Sequence, residues 1–212
     1  MSEAAKRRED ENPSRIRSVC VYCGSARGVE PDYEEAAAAL GRAIAAEGLE
    51  LVYGGGGLGL MGALARSAAA AGGAVTGIIP EFLHRKEGSL ADVVETVVVP
   101  DMHTRKRLMF ERADAFVALP GGVGTLEELV EQLTWVQLER HTKPVVIADV
   151  GGFWRPLIDL FAHMRERRFI QPSFEVRYLV AERVEDVLPM IFEAAARLDR
   201  LGLRRESVDP RL

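Results

Sequence analysis

Six short apolar runs separated by longer stretches of helical period constrain this chain more than any other feature. Residues 18–23, 49–53, 74–79, 93–99, 115–119 and 145–148 read as strands. Between them, residues 31–47 are alanine-rich with Pro31 in the first turn, and residues 59–71 stop at Gly72-Gly73. Residues 125–139 place Leu126, Leu129, Val130, Leu133 and Val136 on one side of a helix. Strands apolar on both faces and joined by helices imply a parallel sheet covered on two sides, since a solvated face would leave an alternating pattern. The expected fold is α/β, a Rossmann-like doubly wound parallel sheet with helices on both faces. With 212 residues, 48% of them hydrophobic, the chain suits one core. That core is expected over residues 17–201, with tails at 1–16 and 202–212.

Charge and patterning exclude several classes. The formal charge is -5 and the basic residues form no block, so no nucleic-acid footprint is expected. No run approaches the roughly 20 apolar residues of a membrane span, and the opening "MSEAAKRREDENPSRIR" is polar, so a cytoplasmic protein without membrane contact is expected. Cys20 and Cys23 form a C-x-x-C without a second pair, and positions three apart in a strand face opposite ways, so buried thiols are expected and no metal site.

Ligands of such sheets bind beyond the carboxyl ends of the strands, which directs attention to three turns. In "YCGSARG" (22–28), Gly24 and Ser25 either offer amides and a hydroxyl to a ligand or form an ordinary polar turn. In "VYGGGGLGLMGALA" (52–65), Gly57-x-Gly59-x-x-Gly62 has the spacing of a dinucleotide-binding loop, with Glu81 about where a ribose-binding acid would stand. However, it follows the second strand, and Gly54, Gly55 and Gly56 intervene; glycines that merely let a helix pack closely are the alternative.

The third turn, "ALPGGVGTLEEL" (118–129), combines Gly121, Gly122 and Gly124 with a helix expected to begin at Thr125. Thr125-x-x-Glu128 has the form of a capping box, but a capping box needs no preceding Gly-Gly-x-Gly. The excess glycine implies that something touches this backbone. Glu127 and Glu128 would repel an anion placed on the helix end, so a phosphate has to sit to one side, on glycine amides, while a carboxylate faces a neutral or cationic portion. A sugar meets that requirement: when a bond at the anomeric carbon breaks, positive charge develops that a carboxylate stabilises. Upstream, "VPDMHTRKRLMF" (99–110) places His103, Arg105, Lys106 and Arg107 at a helix start, against the helix dipole. Arg107 and Glu111 are spaced for an exposed ion pair, whereas Arg105 calls for an anionic partner.

"YCGS", "LVYGGGGLGLMG", "DMHTRK" and "PGGVGTLEE", in this order, resemble the Lonely Guy family of cytokinin riboside 5′-monophosphate phosphoribohydrolases, often mislabelled as lysine decarboxylases; the resemblance spans residues 19–189. It implies a Rossmann-like homodimer or larger homo-oligomer that hydrolyses the N-glycosidic bond of adenosine-type 5′-monophosphates, AMP among them, with no cofactor. Carried onto this chain, the catalytic residues are Arg105 and Glu128. The substrate contacts are Ser25, Gly55, Gly56, Glu87, Lys106, Gly121, Gly122, Gly124, Thr125 and Thr134. The chain departs from the family at Gly57 and Ala26, where serines are usual, and at Thr104, where glutamate is common. Hydrolysis is then expected to use amides of residues 121–125 and Ser25 for the 5′-phosphate, Glu128 beside the ribose and Arg105 as a permanent cation. Its rivals are a nucleotide or cofactor carrier of the same fold and an NAD(P)-dependent oxidoreductase using Gly57–Gly62. Pyridoxal-phosphate decarboxylation is disfavoured, because none of Lys6, Lys86, Lys106 and Lys143 lies in a recognisable Schiff-base context.

Overall fold

The structure, a computed structural model, describes residues 16–84 and 90–203. Nearly all of both expected tails, and Glu87, lie outside the described residues. Among these residues, strands and α-helices follow one another as β1 (Ser18–Tyr22), α1 (Pro31–Ala46), β2 (Glu50–Tyr53), α2 (Gly59–Ala70), β3 (Val75–Pro80), α3 (Glu81–His84), β4 (Glu95–Val99), α4 (Met102–Arg112), β5 (Ala115–Ala118), α5 (Val123–Gln137), β6 (Val145–Ala148), α6 (Arg155–Glu166), β7 (Leu179–Ala181) and α7 (Val187–Arg200), with short 3-10 turns at Val150–Gly152, Pro172–Phe174 and Val184–Asp186. The seven strands form one sheet in the order β4-β3-β2-β1-β5-β6-β7, and every pairing is parallel.

Each face of the sheet is covered, as strands apolar on both sides require. On one face Ala37, Leu40 and Ile44 of α1, Leu60 and Leu64 of α2 and Val187 and Ile191 of α7 pack with Val19, Val21 and Cys23. On the other, Met109 and Phe110 of α4, Leu129 and Leu133 of α5 and Phe161 of α6 pack with Cys20 and Tyr22. The two thiols therefore sit in different cores, both free and buried, and burial pushes both well above the ordinary thiol range.

The chain begins in the middle of the sheet, builds outward through β2, β3 and β4, and then returns to lay β5 against the other side of β1. Strand order reverses between β1 and β5, so the loops leaving their carboxyl ends open a crevice there. Six strands lie where the sequence places them, to within a residue or two. The pattern did not reveal β7, α6 or α7. The first is a three-residue edge strand, half-buried over most of its length, and α6 buries only Phe161. A further correction concerns α5, which begins at Val123 with Gly122 as N-cap, two residues earlier than expected.

Candidate active site

The loops after β1, β2 and β5 are clamped together by backbone. Gly24 donates its N–H to the Pro120 carbonyl (3.0 Å), and its own carbonyl accepts from the Leu60 and Met61 amides (3.1 and 3.2 Å) at the start of α2. A Cβ on Gly59, whose φ is 56°, would overlap the Ser25 backbone, and one on Gly62 would overlap the Gly57 carbonyl. The G-x-G-x-x-G spacing thus serves close packing of loop against helix. Two of the amides that a pyrophosphate would need are already occupied by Gly24.

Beyond β5 the glycines divide. Gly121 is required by the chain itself, since a Cβ would overlap the Thr125 hydroxyl and come within 2.9 Å of the Gly24 nitrogen. At Gly122 and Gly124 a Cβ would meet nothing within 4 Å, and neither has positive φ. Both are exposed at the first turn of α5, which carries no side-chain cap. Ser25 is exposed in the loop after β1. Because α5 starts at Val123, Thr125 is buried inside the first turn, and the capping box that Thr125-x-x-Glu128 offered as the alternative does not form.

Glu128 turns instead toward α4. Its Oε1 accepts from Arg105 Nη1 at 2.7 Å, with 9% and 8% of the two side chains exposed, so this ion pair is almost fully desolvated. Arg105 Nε donates to the Ile78 carbonyl at the end of β3 (3.1 Å). One residue along, Lys106 Nζ donates to Glu127 (2.6 Å) and Glu131 (2.9 Å). The anionic partner that the cations of α4 require is therefore the acidic turn of α5. This also explains why the turn after the glycine-rich loop carries carboxylates: two cations face three anions across the helices.

Burial pushes the Glu128 carboxyl above its usual 4.5, with the adjacent Arg105 pulling the other way. Partial burial lowers the Lys106 ammonium, but its hydrogen bonds to Glu127 and Glu131 outweigh that and raise it. A carboxylate held beside a guanidinium in a low-dielectric crevice is suited to meet a developing positive charge.

The other expected site residues are less concentrated. Gly55 and Gly56 are buried, and a Cβ on Gly55, whose φ is 80°, would overlap the Ile79 side chain. Thr134 is exposed about three turns along α5 and donates to the Val130 carbonyl (2.7 Å). Glu87 lies outside the described residues. His103 is exposed, and Arg107 pairs with Glu111 (3.1 Å) as their spacing predicts. Glu131 was missed; its position one turn beyond Glu127 was the available signal. Among the described residues no group of three or more His, Cys, Asp or Glu could hold a metal, and no helix is long and apolar enough to cross a membrane.

Residues 61–191 match the family described as "possible lysine decarboxylase". A cytokinin riboside 5′-monophosphate phosphoribohydrolase of Oryza sativa subsp. japonica is 48% identical over 187 residues, covering 84% of this chain and 77% of that one. A protein of the same name from Rhodococcoides fascians is 45% identical over 82% of this chain and 89% of its own. The chain belongs to the Lonely Guy family. This is a family named for hydrolysis of an N-glycosidic bond, whatever the decarboxylase description suggests. Among solved structures, the Moco carrier protein of Chlamydomonas reinhardtii superposes with a TM-score of 0.66 over 87% of this chain and 100% of its own. At 22% identity that likeness extends to the fold alone.

Proposed function

We propose that this Lonely Guy protein hydrolyses the N-glycosidic bond of cytokinin riboside 5′-monophosphates, and of AMP, releasing the free base and ribose 5-phosphate. The observation that carries this reading is the buried Arg105–Glu128 pair beside the two open-faced glycines, Gly122 and Gly124. The names of relatives at 45–48% identity support it.

The 5′-phosphate lies on the first-turn amides of α5 and the Ser25 hydroxyl, where the helix dipole favours an anion and no Cβ intrudes. The ribose then faces Glu128. As the bond from C1′ to the base nitrogen breaks, the electron pair leaves with the base and positive charge grows on the sugar, next to the carboxylate. Water adds to C1′; one of its protons is released, and a proton is taken up by the departing base. Arg105 stays charged at any working pH, so its part is to hold Glu128 in place and keep it ionised despite burial. Presence of both members of the pair favours hydrolysis over simple carriage of a nucleotide.

The active unit in this reading is a homodimer. The outer face of α5 exposes Val123 (83%), Val130 (39%) and Leu138 (57%), an apolar stripe that a second copy would cover.

Incubation with AMP and with an N6-prenyl AMP, followed by chromatographic separation of free base, tests the reading. Base release from either substrate is expected; intact nucleotide after prolonged incubation with both would reject it.

A further inference from the structure

The guanidinium of Arg105 is held in a slot with one wall made of bare backbone. Nε donates to the Ile78 carbonyl (3.1 Å), Nη1 donates to Glu128 (2.7 Å), and Nη2 lies over Gly54. A Cβ built on Gly54 would overlap Nη2 and stand 3.0 Å from the Met61 sulfur. Conformation does not require glycine here. Gly55 next to it has a φ of 80°, whereas Gly54 is not in the left-handed region. The space itself is what the chain uses.

We infer that Gly54 is a positioning residue for the proposed hydrolysis: its missing side chain seats the Arg105 guanidinium so that Nη1 meets Glu128. The inference rests on the assignment of Arg105 and Glu128 to that reaction. A guanidinium is planar and its donors are fixed relative to one another, so it cannot be pushed off Gly54 without losing the Ile78 carbonyl, Glu128 or both. Glu128 would then remain buried with its counter-charge displaced, and it would hold its proton to higher pH. The glycine run after β2 thereby acts on the reaction through a side chain from α4.

A cycle of Gly54→Ala, Arg105→Ala and the double variant tests this, read by kcat and KM for base release, the pH dependence of kcat, and the thermal midpoint. Gly54→Ala is expected to lower kcat roughly 100-fold, the scale of a misplacement of about 1 Å, with KM changed only a few-fold. The acid limb of kcat should move to higher pH. In the Arg105→Ala background the same methyl enters vacated space, so the midpoint of the double variant should equal that of Arg105→Ala. Should Gly54→Ala alone fail to fold, recovery of a folded protein in the double variant supports the same conclusion. Wild-type kcat and an unmoved acid limb in Gly54→Ala, or an equal fall in midpoint in both backgrounds, would overturn it. If the wild-type protein releases no base, the functional reading fails, while the midpoint cycle still decides whether Gly54 seats Arg105.

Discussion

The loop after β2 and the loop after β5 are both rich in glycine, both follow a buried parallel strand and both lead into a helix, yet their glycines answer to different demands. After β2, added side chains would strike the chain itself: Gly54 meets Arg105, Gly59 meets Ser25 and Gly62 meets the Gly57 carbonyl. After β5, Gly121 is similarly enclosed, but Gly122 and Gly124 face open space and have no positive φ. Gly122 is the N-cap, where glycine is common, but Gly124 lies inside the first turn, where glycine lowers helix stability relative to alanine; its presence there accords with the proposed phosphate contact. Composition alone does not separate a loop whose glycines face open space from a packing loop. The contents of the Cβ position do.

That contrast can be broken by substitution. Gly62→Ala should cost about 3 kcal/mol, the upper end for overpacking, because its new methyl meets a carbonyl rather than a flexible side chain. Denaturant unfolding measures this, and a loss below about 0.5 kcal/mol would show that the loop relaxes freely. Gly124→Ala should do the reverse, stabilising the protein by roughly 0.5–1 kcal/mol through helix propensity. It should also reduce kcat/KM about tenfold, equivalent to about 1.4 kcal/mol of substrate interaction, as the methyl crowds the phosphate. Unchanged kcat/KM would mean that nothing approaches that backbone. Glu127→Gln should have the smallest effect, within about 1 kcal/mol of stability and diminished by salt, because Glu127 is half exposed and Lys106 retains Glu131. A larger loss would place the outer rung of the α4–α5 contact on a par with the buried one.

The sheet was legible because strands buried on both faces leave continuous apolar runs, as at residues 115–119 and 145–148. The C-terminal third was read less completely: β7 is a three-residue, half-buried edge strand that leaves little pattern, whereas α6 and α7 carry apolar faces of helical period, Val187, Leu188, Ile191 and Ala195 in α7, that were available in the sequence and were missed. In the site, cations placed against the dipole of α4 showed that a partner anion was needed, and Arg105 found it in Glu128. The capping box failed for a local reason. Helix α5 starts at Val123, which moves Thr125 and Glu128 further into the helix and leaves Glu128 free to reach α4. Gly54 could not be singled out by spacing, since it matters only because α4 lies against β2 in three dimensions, whereas Glu131 was marked by its place one turn beyond Glu127.

The central claim is that the Glu128 carboxylate, held by Arg105, meets the positive sugar formed as the base departs. Release of free base from N6-prenyl AMP by the wild-type protein and by Glu128→Gln, followed across pH, tests it most directly. Burial raises the Glu128 carboxyl, so wild-type kcat should fall as pH drops through a limb above 4.5, the ordinary carboxylate value. The variant should lose roughly 10²- to 10⁴-fold in kcat, with KM little changed and that limb gone. A folded Glu128→Gln protein that releases base at the wild-type rate, with the acid limb intact, would contradict the account.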